Sequence, residues 1–166
     1  MTDDEQARAI DRFWHIARAR ARLSTLGGTL GETPPTAVAP PVWSFGDTPQ
    51  LADELVALVL DGTKTATTEL VASYRAAGEP LPAVGDLSIV ADGSGMPRAL
   101  LRTTRVDVVP FDAVTAEHAR LEGEGDGTLA TWRAEHERHF RRTMPEGQFA
   151  ADAPVVCERF TVLDAT

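Results

Sequence analysis

Lys64 is the only lysine of the 166-residue chain; the other fifteen of its 16 cationic side chains are arginine. The distinction is chemical. An ammonium can shed its proton in a desolvated site and act as a base, whereas a guanidinium stays charged. Thr65 and Thr67 lie beside it in the stretch Asp61-Gly-Thr-Lys-Thr-Ala-Thr67. A neutral lysine next to a threonine hydroxyl can generate a nucleophile. A charged one can hold a phosphate or a carbonyl. The plain alternative is a solvated lysine in a helix-ending turn.

A second stretch, Glu122-Gly-Glu124-Gly-Asp126-Gly, alternates carboxylates with glycines. Asp126 reads most simply as the N-cap of a following helix, with Glu124 favoured near that helix's positive end. Glu122 differs, because it closes the preceding helix, where the dipole opposes a negative charge. It also follows His118 by one helical turn, on the same face. An enclosed carboxyl of this kind suits a general acid. His118 and Glu122 alone do not make a zinc site, and the spacing is not that of a calcium loop. Trp132, Arg133 and His136 follow on one helix. They offer base stacking, a cationic contact and proton transfer, against the plainer reading of a core tryptophan and a structural histidine. Tyr74, the only tyrosine, is a further stacking candidate.

The elements that position these residues can be read from periodicity. Residues 3–22 predict a helix, with Ile10, Phe13, Trp14, Ala17 and Ala21 at helical spacing. Trp14 is large enough that this helix should dock on the rest of the chain. Gly27-Gly28 would stop it, and the proline-rich segment to residue 42 reads as a linker. A short strand is expected at Val42–Phe45. Thr48 and Pro49 cap a helix over 49–61 that buries Leu51, Leu55, Leu58 and Val59 and stops at Gly62. Thr67 or Thr68 is expected to cap a helix over about 68–77. Strands at 87–91 and 99–109 flank the hairpin signal Asp92-Gly-Ser-Gly95. Helices at about 115–121 and 128–142 follow, then a strand at 154–163 that holds Cys157 as a buried residue. The expected division is 1–42, a helix and linker, and 43–166, the main domain.

Taken in order, Phe45-Gly46-Asp47, a helix, Gly62-x-Lys64-Thr65-Ala66-Thr67, Gly85-Asp86 before a strand, Pro110-Phe111, His118-Ala119, the acidic glycine-rich stretch, Trp132-Arg133, His136 and Phe140 resemble the ASCH domain family over about residues 43–163. The resemblance implies an α+β fold: a PUA-like small β-barrel of about five or six strands, with inserted helices and a cleft beside the Lys64 loop. It also implies RNA-linked chemistry. Small members of the family are amidohydrolases that deacetylate N4-acetylcytidine, and their Lys, Thr and Glu correspond to Lys64, Thr67 and Glu122. Larger bacterial members with the E-G-E-G-D and W-R-x-x-H elements include a ribonuclease. Thr68-Glu69 stands where the small amidohydrolases carry Ile-Arg, so a cation near their site is missing here.

The resulting expectation is an RNA-directed protein, a metal-independent ribonuclease or single-stranded RNA binder. Deacetylation of N4-acetylcytidine and non-catalytic nucleotide binding are the alternatives. The candidate catalytic set is Lys64, Thr67 and Glu122; Thr65, Tyr74, Glu124, Trp132, Arg133 and His136 are candidate substrate contacts. No cofactor or metal motif is present, and the partner is RNA or a modified nucleoside. A net charge of −9 excludes broad non-specific coating of nucleic acid, which needs a cationic face. The absence of a long apolar stretch or a signal pattern makes a cytoplasmic protein the default.

Overall fold

The computed structural model describes residues 2–23, 38–144 and 149–166. The expected stop at Gly27-Gly28 and most of the proline-rich segment lie outside them. Five helices and five strands follow one another as α1 (Asp3–Arg20), β1 (Val42–Trp43), α2 (Pro49–Leu60), β2 (Ala66–Leu70), α3 (Val71–Ala77), β3 (Leu87–Ala91), β4 (Pro97–Pro110), α4 (Ala116–Glu122), α5 (Leu129–Thr143) and β5 (Pro154–Ala165). The strands form one mixed sheet in the order β1-β3-β4-β5-β2. This is an α+β fold. The ladder has β1 and β2 as its ends among the described residues, so the closed barrel expected from the resemblance is not a feature of it. No described helix is long and apolar enough to cross a membrane.

The chain divides into two compact units. The first comprises Met1–Leu60, Leu87–Arg102 and Thr161–Thr166. Helix α1 starts at a capping box, in which Thr2 and Glu5 satisfy each other's backbone N–H groups. Acids in its first turn and arginines in its last complement the helix dipole. Phe13, Trp14 and Ala17 pack with Leu23, Ile89 and Leu100 into one apolar cluster. In α2, Thr48 caps Leu51 N–H as expected, but the buried stripe is Ala52, Leu55, Val56 and Val59; Leu51 and Leu58 flank it. Strands β3 and β4 form the expected hairpin, with Leu87 opposite Arg102 and Val90 opposite Ala99. Asp92 Oδ1 closes its turn by accepting Ser94 N–H at 3.0 Å and Met96 N–H at 3.1 Å. β1 lies parallel to β3, Val42 opposite Ile89.

The second unit comprises Asp61–Asp86 and Thr103–Phe160. Its core gathers Leu70, Phe111, Val114, Ala119, Trp132, Phe140, Phe149, Val155 and Cys157. Two expectations are corrected here. Residues 66–70 are a strand, not the start of a helix; β2 pairs antiparallel with β5, placing Thr68 opposite Cys157 and Thr67 opposite Glu158. Burial alternates along it, Ala66, Thr68 and Leu70 facing in. The β-branched pair Thr67-Thr68 suits such a half-buried pleat. The helix that follows starts only at Val71, and no side chain caps it. The second correction concerns Asp126, which is not the cap of α5. Thr128 holds that position, its hydroxyl accepting Thr131 N–H at 3.2 Å, while Asp126 accepts Thr128 N–H at 2.9 Å and so shapes the approach.

Candidate functional site

The second unit carries the whole site. Helix α2 ends at Leu60, and Asp61 Oδ1 accepts Thr63 N–H at 2.8 Å, which turns the chain. Thr65 then docks. Its amide donates to Leu121 O at 2.7 Å and its hydroxyl to the same oxygen at 3.3 Å. Leu121 lies in the last turn of α4, where carbonyls lack helical partners, so the Lys64 loop completes that helix end. Phe160 N–H donates to Thr65 O at 3.0 Å and fixes the loop from β5. On the α4 side the chain leaves through Gly123, at φ +67°, where an added Cβ would meet Thr63 O at 2.7 Å. Only glycine allows both that backbone conformation and that approach.

These contacts drive Lys64 inward, and its side chain is 1% exposed. Its ammonium donates to Glu122 Oε2 at 3.2 Å and Glu124 Oε1 at 2.6 Å. Glu122 is equally buried and is the hub. Its Oε1 accepts the Thr68 hydroxyl at 2.6 Å and the Trp132 indole N–H at 2.7 Å, and lies 3.2 Å from His118 Nε2. Its Oε2 lies 3.4 Å from His136 Nε2. The Thr68 hydroxyl is also 2.8 Å from His118 Nε2. A carboxylate at a helix C-terminus is thus surrounded by donors and cations that offset the unfavourable dipole.

The protonation states follow from this packing. Burial works to raise Glu122, but the Lys64 ammonium and then His136 hold it well below the usual carboxylate range. Burial opposes the His118 cation, yet hydrogen bonds to Cys157 and Glu122 push it up to about 9. His136 is raised in the same way, burial again opposing and the Glu122 charge prevailing. Its Nδ1 lies 3.0 Å from Trp132 O and its Nε2 faces Glu122, so both ring nitrogens meet acceptors. Two carboxylates, an ammonium and two imidazoles therefore form one network.

The structure brings Lys64, Glu122, Glu124, Trp132 and His136 of the sequence-derived set together. It assigns others elsewhere. Thr67 lies on the opposite face of β2 from Thr68, and the hydroxyl on Glu122 is that of Thr68. Tyr74 belongs to Thr67's side; burial, then Glu158 and Glu69, push its phenol up to about 12. Thr65 is a loop anchor. Arg133 donates to Asp112 O at 2.6 Å and ties α5 to the turn before α4. Trp132 is 3% exposed, with Phe111 stacked at 5.3 Å and His136 at 4.2 Å. Buried among these rings, it supports Glu122 rather than offering a platform for a base. Sequence reasoning passed over Thr68 and left His118 out of the candidate set. The signals were the strand alternation through Ala66-Thr-Thr and the helical-turn spacing of His118 and Glu122. Among the described residues, no group of three His, Cys, Asp or Glu side chains is arranged to hold a metal ion.

Comparison with known proteins covers most of the chain. The ASCH domain model matches residues 41–164, and the chain belongs to that family. The crystal structure of protein EF3133 from Enterococcus faecalis V583 is similar at 31% identity and a TM-score of 0.79, over 96% of this chain and 90% of that one. An ASCH domain from Lactobacillus crispatus JV V101 is similar at 29% identity and a TM-score of 0.71, over 87% of this chain and 94% of that one. No curated protein matches the chain.

Proposed function

We propose that this chain acts on single-stranded RNA by metal-independent cleavage, with Lys64 as the cation that holds the scissile phosphate. Membership of the ASCH domain family supports the RNA direction. The observation that carries the chemistry is Lys64, 1% exposed and ion-paired to both Glu122 and Glu124. A buried ion pair is weak evidence for stability, while shifted acids and bases concentrate at reaction sites. Lys64 stands as an ammonium between two carboxylates, which suits a charge rather than a base.

The roles follow from access. Glu124 is 26% exposed, against 1% for Glu122, and so is the carboxylate that meets a ligand. It takes the proton of the ribose 2′-hydroxyl. The 2′-oxygen attacks phosphorus, the bond to the 5′-oxygen breaks, and water gives that oxygen its proton, because His136 is buried with both ring nitrogens engaged. The products are a 2′,3′-cyclic phosphate and a free 5′-hydroxyl. The negative chain makes binding salt-sensitive and short in reach.

Labelled single-stranded RNA incubated with EDTA tests this reading. Cleavage by the purified protein, its loss in Lys64→Ala and its partial retention in Lys64→Arg are expected. Equal cleavage by Lys64→Ala sinks the proposal. Amide hydrolysis has one observation in its favour: a lysine, a hydroxyl (Thr68) and a carboxylate meet at Glu122. Release of cytidine from N4-acetylcytidine, lost in Lys64→Arg, would favour it instead, because that route needs a neutral amine.

A further inference from the structure

Glu124 is the solvent-reaching member of the network, and like Lys64 it is carried by a loop rather than a helix. Gly123, Gly125 and Gly127 surround it with φ of +67°, +58° and +69°. Gly123 is locked against Thr63, whereas Gly125 is exposed and Gly127, half-buried, donates its N–H to Glu124 O at 3.0 Å. Its carboxylate sits 2.6 Å from Lys64 Nζ, closer than Glu122 at 3.2 Å.

The charge balance gives this position a consequence. With both imidazoles protonated, Lys64, His118 and His136 face Glu122 and Glu124. Withdraw Glu124, and three cationic groups surround a single carboxylate that is already saturated with donors. A buried net positive charge is costly unless an anion replaces the one removed. An anionic phosphate oxygen accepts from an ammonium as a carboxylate oxygen does.

We propose that Glu124 is a built-in stand-in for the ligand: a phosphate group displaces its carboxylate from Lys64 and takes its place in the network. This rests on Lys64 being the phosphate-holding cation and adds how the site is kept closed without ligand. The same displacement frees Glu124 beside the bound phosphate, where a base for the 2′-hydroxyl is required. Affinity and reactivity are then opposed at this residue. Removing its charge strengthens anion binding and abolishes the proton transfer.

The experiment is calorimetric titration of inorganic phosphate, and separately of a short single-stranded RNA, into wild type, Glu124→Gln and Glu124→Gln/Lys64→Met. Far-ultraviolet circular dichroism checks each fold. Phosphate affinity should rise at least about tenfold in Glu124→Gln and vanish in the double variant. Equal phosphate affinity in folded wild type and Glu124→Gln overturns the stand-in. If Glu124→Gln does not fold, the wild type decides: resonances of Gly123–Gly127 that move and saturate with phosphate support displacement, and resonances that stay put overturn it. The RNA arm separates the two readings. Tighter phosphate binding without RNA binding supports the stand-in and removes the RNA assignment. RNA bound equally by wild type and Glu124→Gln keeps the RNA assignment and overturns the stand-in.

Discussion

Trp132 donates its indole N–H to Glu122 Oε1 at 2.7 Å, joining α5 to the end of α4 across the glycine-rich loop. Phe111 and His136 both stack on the same ring. One side chain thus fills the core of the second unit and orients the hub of its charged network. The tryptophan is used for both of its properties, a large apolar body and one polar edge.

Trp132→Phe separates those properties, since it keeps a ring between Phe111 and His136 and deletes the donor. A hydrogen bond to a charged group contributes about 1.5–3 kcal/mol, and a loss of that order is expected in urea denaturation. RNA affinity should fall only through the displaced Glu122. Unchanged stability with abolished RNA binding would instead make the ring a base-stacking surface.

The network fixes how stability depends on pH. Glu122 is held below its ordinary 4.5 in the folded chain. Its contribution is therefore present above that value and is lost as pH falls through the folded one. His118 is raised from 6.5 to about 9. Its contribution is complete below 6.5 and declines as pH rises toward 9. Stability should peak between these limits, in the mildly acidic range, and fall on the alkaline side. Urea midpoints measured across pH test this, and His118→Gln should flatten the alkaline arm.

Gly123→Ala tests the seam between the Lys64 loop and α4. The left-handed conformation alone costs about 1–2 kcal/mol for a non-glycine residue. Gly78 supplies the control: its φ is +70°, but an added Cβ there meets nothing within 4 Å. Both alanine variants should lose the conformational part. Only Gly123→Ala should lose more, because Thr63 backbone must move and carry Lys64 with it. Equal losses in the two variants would show that the seam gives way freely.

Much of this architecture was legible in the sequence, for identifiable reasons. The helices were legible from apolar periodicity and, for α2, from Thr48 before Pro49, whereas the Thr128 cap of α5 was masked by Asp126 two residues earlier. The β3–β4 hairpin was announced by Asp92-Gly-Ser-Gly95. Lys64 stood out by composition and Glu122 by its conflict with the helix dipole, and the two meet. What escaped was long-range. Residues 66–70 hold threonines that suit a cap as well as a strand, and only pairing with β5 decides between them. That misreading carried through to the hydroxyl, because one residue along a strand reverses the face. Trp132 and Arg133 have the chemistry of ligand contacts, but their partners are Glu122 and Asp112, which no local pattern reveals.

The two threonines provide the sharpest remaining test. Valine at either position keeps the β-branched shape that β2 favours and removes only the hydroxyl. Thr68→Val deletes the donor at 2.6 Å from Glu122 and the oxygen 2.8 Å from His118 Nε2. Leaving buried groups without that partner should cost about 1–3 kcal/mol. The His118 titration, followed by NMR, should move as well. Thr67→Val acts on the other face, away from the network, and should change stability by no more than about 0.5 kcal/mol. RNA cleavage should survive Thr67→Val intact and weaken in Thr68→Val. A Thr67→Val protein with wild-type stability and no activity would make Thr67 the nucleophile after all, and amide hydrolysis the better account of Lys64.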